Sequence, residues 1–140
     1  MRFTGGRAGD ARVEALKTFV AGSADAQREY RLAPQFRGAL SRDLQRFWAT
    51  GVVDVRKKGW SVPANPTARL VRLTGSGARS RAVLCRWSPT TDFVRRSDGK
   101  NVERSGRAWN RVDITLQKRA GRWILTTVEG RGVKQPGCPK

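Results

Sequence analysis

The sequence predicts an α+β fold, with N-terminal helices packed on one face of a strongly curved antiparallel sheet. Three observations predict it. Apolar residues recur at helical spacing only before Gly51. A two-residue alternation takes over after that glycine, and short turns containing glycine separate the alternating segments. Helices followed by hairpin-joined strands form the layers of an α+β domain.

Residues 1–9 are rich in Gly and Arg and are expected to fray, leaving residues 10–130 as one domain and 131–140 as a C-terminal tail. Asp10 is placed to cap a helix whose stripe is Val13, Leu16, Phe19 and Val20. Gly22-Ser23 is expected to interrupt it, with Asp25 capping a short second helix through Leu32. Pro34 suits the first turn of a third helix, striped by Phe36, Leu40, Leu44, Phe47 and Trp48 and stopped at Gly51. Residues 52–55 and 60–62 then read as short strands around a Lys57-Lys58-Gly59 turn. Longer strands are expected at 68–74, 80–87, 110–118 and 123–128, and Phe93-Val94 suits another short one. Gly75-Ser76-Gly77, Ser97-Asp98-Gly99 and Ala120-Gly121 supply the turns. The alternation of Val112, Ile114 and Leu116 puts Arg111 and Asp113 together on the opposite side.

The chain carries 29 Lys and Arg against 11 Asp and Glu, a net charge of +18, and no histidine. That balance favours polyanionic partners and removes the commonest general base and metal ligand. At 140 residues the chain is one domain's worth, and 38% hydrophobic content is too apolar for a disordered tail. No apolar run is long enough for a transmembrane segment. No apolar stretch follows the basic start at Arg2 and Arg7, so the chain reads as cytoplasmic as written, or extracytoplasmic if an export segment precedes Met1.

Nothing assigns catalytic, cofactor-binding or metal-binding residues. The sequence lacks a Gly-rich phosphate loop before a helix, a nucleophile elbow and a paired-cysteine motif. Two cysteines without histidine do not supply the four ligands of a zinc site. Asp54 and Glu129 lie near turns or strand ends, where they suit either a pocket rim or ordinary solvated ion pairs. No enzymatic activity is expected.

The densest charge gives a candidate anion-binding set. Arg69, Arg72, Arg79, Arg81 and Arg86 fall on two neighbouring strands, and Arg95, Arg96, Lys100, Arg104 and Arg107 crowd the following loop. Trp87, Phe93 and Trp109 lie among them, as base stacking on a cationic sheet requires, although the same aromatics suit the core. No signature for sequence-specific readout accompanies them.

Several segments carry a family resemblance. A helical region ends at Trp48 to Gly51, and then come Arg81-Ala82-Val83-Leu84-Cys85, Asp98-Gly99-Lys100, a strand over 111–116, and Gly121-Arg122-Trp123-Ile124-Leu125. In this order they resemble the nuclear-transport-factor-2-like (NTF2-like) superfamily, a cone of helices wrapped by a strongly bent antiparallel sheet. The resemblance spans roughly residues 10–138 and is closest to small exported actinobacterial members, in which a strand cysteine like Cys85 and a C-terminal one like Cys138 occur. It implies a Cys85–Cys138 disulfide; the other reading is a buried strand thiol and a separate tail thiol. Closing a loop of roughly 50 residues is worth about 4 kcal/mol by the chain-entropy argument.

The resemblance further implies a non-enzymatic binding or scaffold domain with no cofactor. Its expected partner is another protein or a polyanionic surface such as anionic lipid, cell-wall polymer or nucleic acid, with homodimerisation through the open sheet face. The alternatives are sequence-independent nucleic-acid binding and a small-molecule enzyme or carrier using the cone pocket.

Overall fold

The computed structural model of the chain describes residues 1–102, 106–133 and 138. Three helices pack on a five-stranded sheet of order β1-β3-β4-β6-β7, with a separate two-stranded ribbon, β2-β5. The elements are β1 (Arg2–Thr4), α1 (Ala11–Glu29), α2 (Pro34–Gly38), α3 (Arg42–Lys58), β2 (Trp60–Ser61), β3 (Thr67–Thr74), β4 (Arg79–Trp87), β5 (Val94–Arg95), β6 (Trp109–Arg119) and β7 (Arg122–Val133). The α+β class stands.

The helices differ in detail from the expectation. Asp10 caps α1, accepting the Arg12 backbone N–H at 2.9 Å. The helix then runs through Gly22-Ser23 without a break. Gly22 is there for space, because a Cβ on it would lie 2.6 Å from the Phe36 side chain. Ser23 is buried and its hydroxyl donates to the Val20 carbonyl at 3.1 Å, so neither residue ends the helix. Asp25 is therefore interior to α1 and caps nothing.

The expected third helix is instead two. Around Leu40 the backbone pairs with β7: the Ser41 N–H donates to the Leu125 carbonyl at 2.9 Å, and the Leu125 N–H donates to the Ala39 carbonyl at 2.8 Å. Those bonds break the helix, and Ser41 restarts it as the cap of α3. Gly51 does not stop α3, so the expected strand at 52–55 is helical. A mid-helix glycine costs about 1 kcal/mol relative to alanine, and burial of Val52 and Val55 one turn apart offsets it. The stop is Gly59, at φ 70°, after Arg56, Lys57 and Lys58, which favour the negative end of the helix dipole.

The N-terminus is not frayed at Arg2–Thr4. These residues form an edge strand parallel to β3, so the sheet is mixed, not wholly antiparallel. Phe3 explains the order, because it packs against the hydrophobic core. The other four strands are antiparallel. A bulge at Val71 and two irregularities between β6 and β7 bend the sheet around the helices.

The concave face of the sheet supplies Ala68, Leu70, Ala82, Leu84, Ile114, Leu116 and Leu125 to one core with Val13, Leu16, Phe19 and Val20 of α1. Phe19, Phe36 and Trp48 join it as a ring cluster with centroids 5.4 to 6.2 Å apart. No helix among the described residues is long and apolar enough to cross a membrane.

Candidate functional site

Strand alternation sorts the arginines. Along β4, Ser80, Ala82, Leu84 and Arg86 face the helices, while Arg79, Arg81, Val83, Cys85 and Trp87 face outward. The register carries that outer face across the sheet. Arg69, Cys85 and Arg111 form one row; Arg72, Val83, Asp113 and Glu129 form the next; Thr74, Arg81, Thr115 and Thr127 form a third. The Val71 bulge is what turns Arg72 outward and Leu73 inward.

A groove of about 520 Å³ lies over these rows, lined by Arg72, Arg81 and Arg111 with Thr74, Asp113 and Glu129. Arg111 donates to Asp113 at 3.0 Å, so of the cations open to Asp113 in the sequence it is Arg111 that pairs with it. Among the described residues no carboxylate forms an ion pair with Arg69, Arg72, Arg79 or Arg81. Beside this groove lies a second of about 550 Å³, lined by Arg2, Thr4, Thr67, Arg69, Trp87 and Trp109. The two indoles lie 5.1 Å apart. The Arg69 guanidinium stands 4.0 Å over Trp109, and that of Arg107 stands 5.5 Å over Trp87.

Cys85 and Cys138 are disulfide-bonded, with Cα atoms 5.7 Å apart, so neither is a free thiol. Because Cys85 faces outward, the bond holds Cys138 on the outer face, in the row between Arg69 and Arg111.

The rest of the predicted anion-binding set is dispersed. Arg95 pairs with Asp98 at 2.9 Å, and the Lys100 N–H donates to the same carboxylate. The Lys100 N–H, and then the Arg95 side chain, hold the Asp98 carboxyl below its ordinary range. Arg96 donates to the Arg28 carbonyl at 2.6 Å and stands over the Tyr30 ring, finishing the C-terminal end of α1. Arg104 lies outside the described residues. Asp54 pairs with Lys58 on α3 at 2.9 Å, far in sequence from the groove that Glu129 lines.

Arg86 departs most from the expectation. It is half-buried on the helix-facing side, between Ala68 and Asn110 in register, and its guanidinium lies 6.0 Å from the Phe19 ring centre. Burial pushes its pKa down to about 10, so it keeps its charge at neutral pH. Beside it the Asn110 side-chain oxygen is buried without a hydrogen-bond partner, a condition that costs roughly 1–3 kcal/mol. Sequence reasoning did not pick out Asn110. It also left Arg2 and Arg111 out of the outer set, because membership depends on the register of β1 and β6.

These features compare with known structures as follows. The intermembrane-space region of the chloroplast protein ARC6 aligns with a TM-score of 0.60 and 11% identity, over 90% of this chain and 99% of that one. A putative calcium/calmodulin-dependent protein kinase type II association domain from Thiobacillus denitrificans aligns with a TM-score of 0.56 and 7% identity, over 86% of this chain and 93% of that one. The fold is NTF2-like. An NTF2-like protein of unknown function from Shewanella baltica also aligns, with a TM-score of 0.49 and 16% identity, over 85% of this chain and 91% of that one. At these identities the NTF2-like likeness is one of architecture. No protein-family model and no curated protein matches the sequence.

Proposed function

We propose that the chain is a non-enzymatic NTF2-like binding domain that receives a polyanionic partner across the outer face of its sheet. One observation carries the reading: Arg69, Arg72, Arg79, Arg81 and Arg111 project from three adjacent strands onto the same face. Arginine forks suit phosphate and carboxylate oxygens, and a face carrying five of them raises the local concentration of polyanions.

The same charge disfavours a second copy on this face, because a two-fold contact would set arginines against arginines. Among partners, the aromatic geometry supports an anionic surface over stacked bases. Arg69 and Arg107 already stand over the two indoles on which a base would stack. Catalysis finds little support, since there is no histidine and Asp113 is paired with Arg111.

Binding to anionic phospholipid vesicles and to a labelled single-stranded oligonucleotide, both at about 50 mM salt, tests the proposal. Vesicle binding that salt reverses and that Arg72→Ser with Arg81→Ser weakens is the expected result. Binding of the oligonucleotide alone would replace the anionic surface with nucleic acid as partner. Binding of neither would end the proposal.

A further inference from the structure

The groove lined by Arg2, Thr4, Thr67, Arg69, Trp87 and Trp109 differs in kind from its neighbour over Arg72 and Arg81. The neighbour mixes arginines with Asp113 and Glu129, whereas this one holds no carboxylate among the described residues. The register sets Arg2 beside Thr67, Thr4 beside Arg69, and Trp87 beside Trp109. Arg2 and Arg69 therefore approach from adjacent strands, with two threonine hydroxyls between them. Among the described residues neither guanidinium donates a hydrogen bond or forms an ion pair. Arg69 is held in place all the same. Its guanidinium stands 4.0 Å over the Trp109 ring, a contact that uses its face and leaves its N–H edge open. A fork positioned in advance loses less entropy when it binds.

We infer that this groove is a discrete site for a phosphate monoester within the polyanion-binding face. The inference rests on the reading of that face and adds a ligand class to it. A lining of donors without carboxylates suits a group that only accepts, and a monoester phosphate presents three strong acceptor oxygens. A diester has two free oxygens and a single charge, so two arginine forks and two hydroxyls favour the monoester. The volume of about 550 Å³ is that of a small-ligand pocket. The two indoles, 5.1 Å apart, wall the groove and meet the carbon side of the ester. A lipid headgroup and a soluble phosphate both offer this chemistry.

Vesicles of phosphatidic acid or phosphatidylglycerol in a neutral lipid, matched in surface potential, test the inference together with soluble glycerol phosphate. Phosphatidic acid ends in a monoester, and phosphatidylglycerol carries a diester. At equal potential the native chain should bind phosphatidic acid vesicles about tenfold tighter or more. Arg69→Lys keeps the charge and loses the fork. It should abolish that preference and leave binding to phosphatidylglycerol vesicles unchanged, which also shows that the variant is folded. Arg72→Ser with Arg81→Ser should do the reverse, weakening binding to both vesicles and keeping the preference. Saturable binding of glycerol phosphate in calorimetry, lost in Arg69→Lys, would support the site and name a soluble monoester as its source. The vesicle preference without it names the lipid.

Equal binding of the two vesicle types by the native chain, with no saturable binding of glycerol phosphate, would overturn the inference and leave the polyanion reading standing. A preference that survives Arg69→Lys would overturn it as well. Glycerol phosphate bound through Arg69 with no vesicle bound would end the anionic-surface reading and support the site. Binding of no probe at all would end both.

Discussion

Arg81 and Arg86 lie on the same strand, five positions apart, on opposite faces of the sheet. Arg81 is exposed beside threonines and other arginines, where water screens it and leaves its charge available to a partner. Arg86 faces the helices, where burial pushes its pKa down to about 10. The outer face accumulates charge at little cost to folding, whereas the inner face is largely apolar and holds Arg86 at a polar corner beside Asn110. Apart from the disulfide, core packing therefore resides on the inner face and polyanion binding on the outer one, and substitutions away from the cysteines should separate them.

The largest effect is expected from the interior. Leu84 is fully buried, and Leu84→Ala should lower the unfolding free energy by about 2–5 kcal/mol in urea titration, leaving polyanion affinity unchanged under folding conditions. Joint loss of stability and affinity in the folded variant would break the separation. Cys85→Ser with Cys138→Ser should cost up to about 4 kcal/mol, read as a lower melting point matching that of the reduced native protein. Because the bond sits on the outer face, that variant should also bind polyanions with changed affinity, and unchanged affinity would place the tail outside the contact area.

Asp10 tests the start of α1. The Arg12 side chain, chiefly, lowers its pKa to about 2, and Asp10→Ala should cost about 0.5–2 kcal/mol. The unfolded carboxyl titrates near 4, so the contribution is complete above that pH and disappears as pH falls toward about 2. Unfolding curves of native and Asp10→Asn chains should converge through that window and stay apart at neutral pH. The smallest stability effect, within about 0.5 kcal/mol, is expected for Arg72→Ser with Arg81→Ser.

Much of the sheet was legible in the sequence because alternation is a local property. The β6 pattern around Val112, Ile114 and Leu116 indicated the strand and put Arg111 and Asp113 on one side, where they pair. The helices were less legible because glycine is ambiguous. Gly22 reads as a breaker until Phe36 is seen packed on it, and Gly51 reads as a stop although Gly59 provides it. Register was not legible, and it decides the candidate site. It adds Arg2 and Arg111 to the outer face and moves Arg86 inward beside Asn110, while Arg95 is held by Asp98 and Arg96 by the end of α1. The bulge at Val71 is equally invisible locally, yet it turns Arg72 outward.

Salt dependence of binding to a labelled single-stranded oligonucleotide, used as a generic polyanion, tests the central claim most directly. Each phosphate neutralised contributes about 0.7 to the slope of log affinity against log salt, so Arg72→Ser with Arg81→Ser should flatten that slope by roughly 1.4. The control pair Arg42→Ser with Arg46→Ser on α3 removes the same charge elsewhere and should leave the slope nearly unchanged. Equal flattening by both pairs would show that net charge, not the outer face of the sheet, does the binding, and would contradict the account.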